Sequence, residues 1–364
     1  MKKFYLFTLA VLLALPAGIQ AQEFATGALH VVLGTYGRVR VSAPDVSVRQ
    51  VDRLSFLLAK SRTEVFDYQE DAEGIAAPAT VTPATWGNHE INVGIDNSYS
   101  NRPPVVSAVV SAYGWTDAAY TISKFAVTNN GTEAFDAIPG FEMIPINEGT
   151  YGNETLVYDA ANSLFYSYKG ASYVGFKSLS HPLTSVKLFD WYDAFYTDTL
   201  FYDYMTTGTF TDSVVTGGDG GVAVAGAAAV PFPAGATLNM YIAIAFGQTK
   251  ADMLEQMSDA VAAYNALVGV KEEMTAANTF ALQQNYPNPF NPSTRISFYL
   301  EESAETSLRI YDVLGNEVAV LVNGQMEKGY HEAEFDASKL SSGMYVYRLV
   351  SGQNVAVKKM SLLK

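Results

Sequence analysis

Leu282-Gln-Gln-Asn-Tyr-Pro-Asn-Pro-Phe-Asn-Pro-Ser-Thr294, running directly into Arg295-Ile-Ser-Phe-Tyr-Leu300, decides how the C-terminal part of the chain is built. Three prolines within six residues (Pro287, Pro289 and Pro292) forbid a helix and favour an extended, turn-rich lead-in. The following run then puts Ile296, Phe298 and Leu300 on one face of a strand. Further alternating runs begin at Ser307, Glu317, Gly329, Gly343 and Asn354, with Leu314-Gly315-Asn316 as a turn signal between two of them. Six short strand runs in about 80 residues, with turn residues between them, predict a small immunoglobulin-like β-sandwich. In Gly343-Met-Tyr-Val-Tyr-Arg348 the alternation places Tyr345 and Tyr347 on one face and Met344, Val346 and Arg348 on the other.

Outward from this segment, residues 22–270 also read as mostly β. Val39 and Val41, Val46 and Val48, and the runs 53–59, 105–110, 120–128 and 239–246 carry strand periodicity. Asn129-Asn130-Gly131 signals a turn, and the Ala-rich stretch 222–230 fits a strand in a tight space. One helix is expected over 250–268. Thr249 and Asp252 form a capping box, Met253, Met257, Ala260, Val261, Tyr264 and Leu267 recur at helical spacing, and Gly269 ends the run. The expectation is therefore a β-sandwich body with one C-terminal helix, a polar linker at 271–281, and a terminal sandwich at 282–364.

The motifs of the terminal segment resemble the type A C-terminal sorting domain of the type IX secretion system. They are Asn285-Tyr-Pro287-Asn288-Pro289-Phe290-Asn-Pro, Ile310-Tyr-Asp-Val-Leu-Gly315, Gly329-Tyr-His331, Leu340-Ser-Ser-Gly343-Met-Tyr345-Val-Tyr347-Arg348, and Lys358-Lys359-Met-Ser-Leu-Leu-Lys364. The resemblance implies export across an outer membrane by that translocon and removal of the domain by a sortase-like peptidase. The body is then released or attached to surface lipopolysaccharide. Lys358, Lys359 and Lys364 are expected to form a basic tip that the translocon reads.

The opposite end agrees with such a route. Lys2 and Lys3 precede an apolar stretch, Phe4 to Leu15, too short to span a bilayer, and Ala21 offers a small residue at a cut. Residues 1–21 thus read as a signal peptide cleaved between Ala21 and Gln22. No later apolar run reaches the length of a membrane span.

Charge separates the two parts. Residues 22–280 hold 13 basic and 28 acidic residues, net −15, and residues 281–364 hold 8 and 9, net −1. With an overall net charge of −14, nucleic acid is not an expected partner, because phosphate binding needs a basic footprint. There is no cysteine, which excludes thiol catalysis and disulfides.

Catalytic patterns are thin. Gly170-Ala-Ser-Tyr-Val-Gly175 is one residue too long for a nucleophile elbow. The four histidines, His30, His89, His181 and His331, have no companion ligand or base spacing. Asp219, in a glycine loop, could contribute oxygen to Ca²⁺, but no other acid lies within six residues, and no cofactor is expected. The densest chemical signal is aromatic: residues 151–204 hold fifteen Phe, Tyr and Trp. Trp191, Tyr192 and Tyr196, beside Asp190, Asp193, Asp198 and Asp203, are the candidate ligand face, able to stack on sugar rings. The expected body is a non-enzymatic binding, adhesive or structural one; the alternative is a carbohydrate-binding or glycan-degrading protein, with facing carboxylates as its acid and base.

Overall fold

The computed structural model describes residues 21–44, 46–192, 195–276, 280–285, 288 and 290–363, with the backbone alone at 268–276 and 330. The expected signal peptide, apart from Ala21, lies outside them, as do Pro287, Pro289, Lys364 and Asp193.

Two large antiparallel sheets make up the body. The first has nine strands, with Arg49–Ser61, Phe135–Pro145 and Gly221–Ala227 adjacent at its centre. The second has ten, with Thr237–Gly247 between Ser172–Ser178 and Tyr120–Asn129. Their inner faces meet in one core. Leu54, Phe56, Leu58, Phe141 and Met143 come from the first sheet, and Phe125, Phe165, Phe176, Ile242 and Ile244 from the second. Period-2 alternation is therefore realised strand by strand, with Phe56 and Leu58 facing in while Leu57 and Ala59 face out.

Both outer faces are covered as well. The strand runs are apolar on two sides because a helix lies against each sheet. On the second sheet, Met253, Met257 and Ala260 of helix α2 (Lys250–Ala276) pack on Ile122, Leu164, Ala243 and Ala245. Thr249 and Asp252 cap it reciprocally, each backbone N–H donating to the other's side chain at 3.1 and 3.2 Å. The helix does not stop at Gly269 but continues to Ala276, so the first half of the expected linker 271–281 is helix. Glycine costs a helix interior only about 1 kcal/mol relative to alanine, too little to end a helix by itself.

On the first sheet lies a shorter helix, α1 (Asp198–Thr206), which the periodicity of the sequence does not announce. Thr197 caps it by accepting from the Leu200 N–H, and Phe201 and Met205, four residues apart, bury against Leu57, Val222 and Val224. Its closeness depends on absent side chains. A Cβ at Gly226 would stand 2.2 Å from the Met205 carbonyl oxygen, and one at Gly140 would stand 2.6 Å from the Met205 Cε.

The C-terminal part forms a three-stranded and a four-stranded sheet with a core of their own. Ile296, Phe298 and Leu300 face Leu308, Ile310, Tyr347 and Leu349. These are seven strands among the described residues, the first of them only Ala281–Leu282.

Gly226→Ala is expected to lower the stability of the chain by about 1–3 kcal/mol, because α1 must shift off the sheet. Denaturant unfolding of the two proteins measures it.

Candidate functional site

The outer face of the first sheet changes character along its strands. Where α1 covers it, the residues are apolar. Beyond the helix, Arg53, Ser55 and Glu142 project from the same face and are all buried. Arg53 and Glu142 form an ion pair of 2.8 Å, and the Ser55 hydroxyl donates to Glu142 at 3.4 Å. Burial raises the Glu142 carboxyl despite this pairing. The Arg53 guanidinium also donates to Gln69 Oε1 at 2.5 Å and lies 5.2 Å from the centre of the Tyr68 ring.

Gln69 and Tyr68 belong to a turn built around two buried acids. Asp67 Oδ1 accepts from the Gln69 and Glu70 amides at 2.6 and 2.8 Å, while Asp71 Oδ2 accepts from the Asp67 amide at 3.1 Å. Asp67 Oδ2 has no hydrogen-bond partner, while the Asp71 carboxylate is also held by the Ser100 side chain and the Arg102 guanidinium. The Asp67 carboxyl is pushed up to about 7, first by burial and also by the charges of Asp71 and Glu142, against the pull of the two amides. Burial raises Asp71 too, against the nearby Arg102 guanidinium.

Between this turn and the start of α1 is a surface cleft lined by Thr63, Glu70, Arg102, Tyr196, Asp198 and Thr199. Arg102 reaches Glu70 at 3.6 Å and Asp71 at 3.5 Å. Of the three aromatics in the predicted ligand face, only Tyr196 lines the cleft. Tyr192 is turned away and shares a 2.7 Å hydroxyl–hydroxyl hydrogen bond with Tyr204. Trp191 and Tyr196 both pack around the fully buried Phe195, with the two rings edge to face at 5.7 Å. The three do not form one flat platform. Phe165, Phe176, Phe189 and Phe201 of the same aromatic stretch are core residues.

The carboxylates beside them are tied into the fold. Asp190 accepts from the Gly217 amide at 3.0 Å, Asp198 from the Val65 amide at 3.4 Å, and Asp203 pairs with both arms of Arg62 at 2.8 and 2.7 Å. Among the described residues no group of three or more His, Asp or Glu is arranged to hold a metal ion. A second cleft, between the loop at Trp115–Ala118 and α2, is lined by Trp115, Asp117, Tyr120, Gln256 and Asp259.

In the tail, the lead-in is fastened to the last strands. Tyr347, fully buried, donates its hydroxyl to the Gln283 carbonyl at 2.7 Å and accepts from the Asn285 amide at 2.8 Å. Burial pushes this phenol up to about 12. Asn288 Oδ1 accepts from the Ser361 amide, and Phe290, buried in the core, bonds through its backbone to Ser361 and Leu363. Tyr345 donates to the Ser341 carbonyl at 2.8 Å. Gly315 closes the turn after Asp312 at φ +87°, a conformation a side chain would strain; Gly329 and Gly343 stand at +134° and +156°. Tyr345 and Tyr347 face the core, while Met344 and Arg348 are exposed. Lys358 and Lys359 do not form one basic tip: consecutive residues of the strand Asn354–Leu362 point to opposite faces.

Residues 284–362 match the family model described as a secretion system C-terminal sorting domain. This terminal unit is a sorting domain of the type IX secretion system. Export by that system carries the protein through the periplasm to the cell surface or the medium, and the sorting domain is the part that engages the secretion machinery. No helix among the described residues is long and apolar enough to cross a membrane.

No curated protein matches the chain in sequence. Among solved structures it resembles a bacterial glucoamylase complexed with acarbose, at 12% identity and a TM-score of 0.50, over 70% of this chain and 36% of that one. The chain thus spans about a third of the glucoamylase, and the likeness is one of fold. A polysaccharide lyase (8% identity, TM-score 0.34, 94% and 46% covered) and an aldose epimerase homologue from C. elegans (9%, 0.39, 63% and 98%) are more distant.

Two outcomes follow from these contacts. Because the folded Asp67 holds its proton above the ordinary value of 3.8, its contribution to stability is complete below that value and is lost as pH rises through about 7. Unfolding measurements should show stability falling from about pH 4 to pH 7 and levelling off above, by no more than about 1.4 kcal/mol per pH unit from this group, and Asp67→Asn should flatten the fall. Tyr347→Phe leaves the Gln283 carbonyl and Asn285 amide without their partner and should cost the sorting domain about 1–3 kcal/mol. Tyr345→Phe, which removes one hydrogen bond where Tyr347→Phe removes two, should cost less in the same unfolding measurement.

Proposed function

We propose that the chain is an extracellular, non-enzymatic binding protein whose acidic β-sandwich body is the working part and whose sorting domain is its export device. The observation that carries this reading is the sorting domain at the end of a body with a filled interior. Phe56, Phe125, Phe141, Phe165 and Phe176 close the space between the sheets, so ligands would meet the body on its outer clefts. The acids that a glycosidase reading would recruit, Asp190, Asp198 and Asp203, each accept hydrogen bonds that position loops or α1, which suits a structural role better than an acid–base pair.

Carbohydrate is the ligand class we favour for the body. It is supported by the fold likeness to a glucoamylase solved with acarbose and by tyrosine and charged side chains meeting in a cleft. The division into residues 22–270 and 282–364, cleavage between Ala21 and Gln22, and removal of the sorting domain by a sortase-like peptidase belong to the same proposal. Gln22 is the first residue of the edge strand Gln22–Ala25, which supports a mature end at that point. The processed body would be released or joined to surface lipopolysaccharide.

Intact-mass analysis of the protein from fractionated native cells tests the proposal. A product in the medium or on the surface that starts at Gln22 and ends before about Leu282 is expected. A periplasmic product still ending at Lys364 would reject it.

A further inference from the structure

We propose that Arg38, Arg40 and Arg49, gathered around Asp52 on the outer face of the first sheet, form a site for an oxyanion carried by a sugar, as a carboxylate or a sulfate ester. This deepens, and rests on, the reading of the body as a carbohydrate-binding module.

A β-bulge makes the site. Val39 pairs with Leu54 and Val41 with Val51, so Arg40 alone stands opposite two residues, Asp52 and Arg53. Val39, Val41, Val51 and Leu54 all face the core, which leaves the residues between them to the outer face. Four arginines of an otherwise acidic body, Arg38, Arg40, Arg49 and Arg53, thus fall close together.

Arg53 has Glu142 for itself, but the other three guanidinia share one carboxylate. Arg38 donates to Asp52 Oδ2 and, at 2.8 Å, to the Asp52 carbonyl. Arg49 donates to Oδ1 at 3.0 Å, and the Tyr151 hydroxyl bonds the same carboxylate. Both oxygens are therefore taken. Arg40 is the group left over. Its Nε is buried without a hydrogen-bond partner, and its one ion-pair contact, Asp52 Oδ1 at 3.8 Å, is already held by Arg49. Among the described residues no other carboxylate lies within ion-pair distance of Arg38, Arg40 or Arg49, so three positive charges face one negative charge.

This excess cannot titrate away, because arginine keeps its proton at neutral pH. Burial and the charges of Arg38 and Arg49 work against the charged form of Arg40, with Asp52 opposing them. An arriving oxyanion removes that repulsion and brings charge-assisted acceptors to the guanidinia. Solvent reaches the cations and not the acid: the side chains of Arg38, Arg40 and Arg49 are 21%, 33% and 43% exposed, against 8% for Asp52. Tyr151 gives the reason for a sugar. Its hydroxyl is fixed on Asp52 while the residue is 46% exposed, so its ring offers the C–H face of a pyranose an apolar surface beside the cations.

Calorimetric titration of the purified full-length chain with tetragalacturonate, tetramannuronate, a sulfated carrageenan tetrasaccharide, maltotetraose and cellotetraose tests this. At least one of the three anionic sugars is expected to bind with a Kd below about 1 mM, and the uronate and sulfate arms tell which oxyanion is preferred. Arg40→Met and Arg49→Met should each weaken that binding at least about tenfold. Arg62→Met, at the arginine paired with Asp203, should leave it within about twofold. Arg49→Met alters the most exposed of the three side chains and keeps the test decisive if Arg40→Met does not fold. Anionic binding that survives Arg49→Met within about twofold overturns the site. No binding of any anionic sugar also overturns it; binding of maltotetraose or cellotetraose in the same series then leaves the carbohydrate reading of the body standing, and silence from all five removes that reading too.

Discussion

Phe56 and Phe141 sit opposite each other on neighbouring strands of the first sheet, and each meets a phenylalanine of the second. Phe56 lies 5.6 Å from Phe125, and Phe141 lies 5.7 Å from Phe165, which continues to Phe176 at 5.5 Å. This contact fixes which face of every central strand points inward, because a register slip of one residue would turn the whole set toward the outside. Once the inner faces are set, the outer faces follow. Leu57, Ala59, Val222 and Val224 are left apolar and need α1, while Ile122, Ala243 and Ala245 need α2. The helices complete a sandwich already defined by its interior.

The same constraint produces the cleft. On the outer face of the first sheet, Arg53, Ser55 and Glu142 follow the apolar residues along the strands, and α1 cannot extend over them. A turn rich in polar groups covers them instead, with Asp67 and Asp71 buried in it. Helix and turn are covers of different chemistry, and the cleft is the seam between them. Glu70, Arg102 and Tyr196 meet there because of how the sheet is covered.

Much of this was legible in the sequence. Ile296, Phe298 and Leu300, Tyr345 and Tyr347, and Phe125 and Val127 announce their faces by alternation alone, and Thr249 with Asp252 announces the start of α2. The motifs from Asn285 onward identified the sorting domain. What was not legible depended on distant partners. Nine residues of α1 hold too short a stripe, Phe201 and Met205, to separate a helix from an aromatic strand, and Thr197 was its one local signal. Glu70, Arg102 and Tyr196 come from three separate segments, so no spacing could join them. Trp191, Tyr192 and Tyr196 looked like one face because they are close in sequence, yet Phe195 sits between them and takes up the rings. Lys358 and Lys359 are adjacent in sequence and opposite in space, the ordinary consequence of a strand.

The sorting domain depends on its own small version of the same logic. Tyr347, in the middle of the core, reaches out with its hydroxyl to hold the proline-rich lead-in at Gln283 and Asn285, so the motif residues are parts of one folded unit. The central claim is that this unit directs export. Locating the intact chain and a chain lacking residues 282–364, both produced in cells with a working type IX system, tests it most directly. The account predicts that the intact chain reaches the surface or the medium and that the shortened chain stays in the periplasm. Equal export of the two would contradict it.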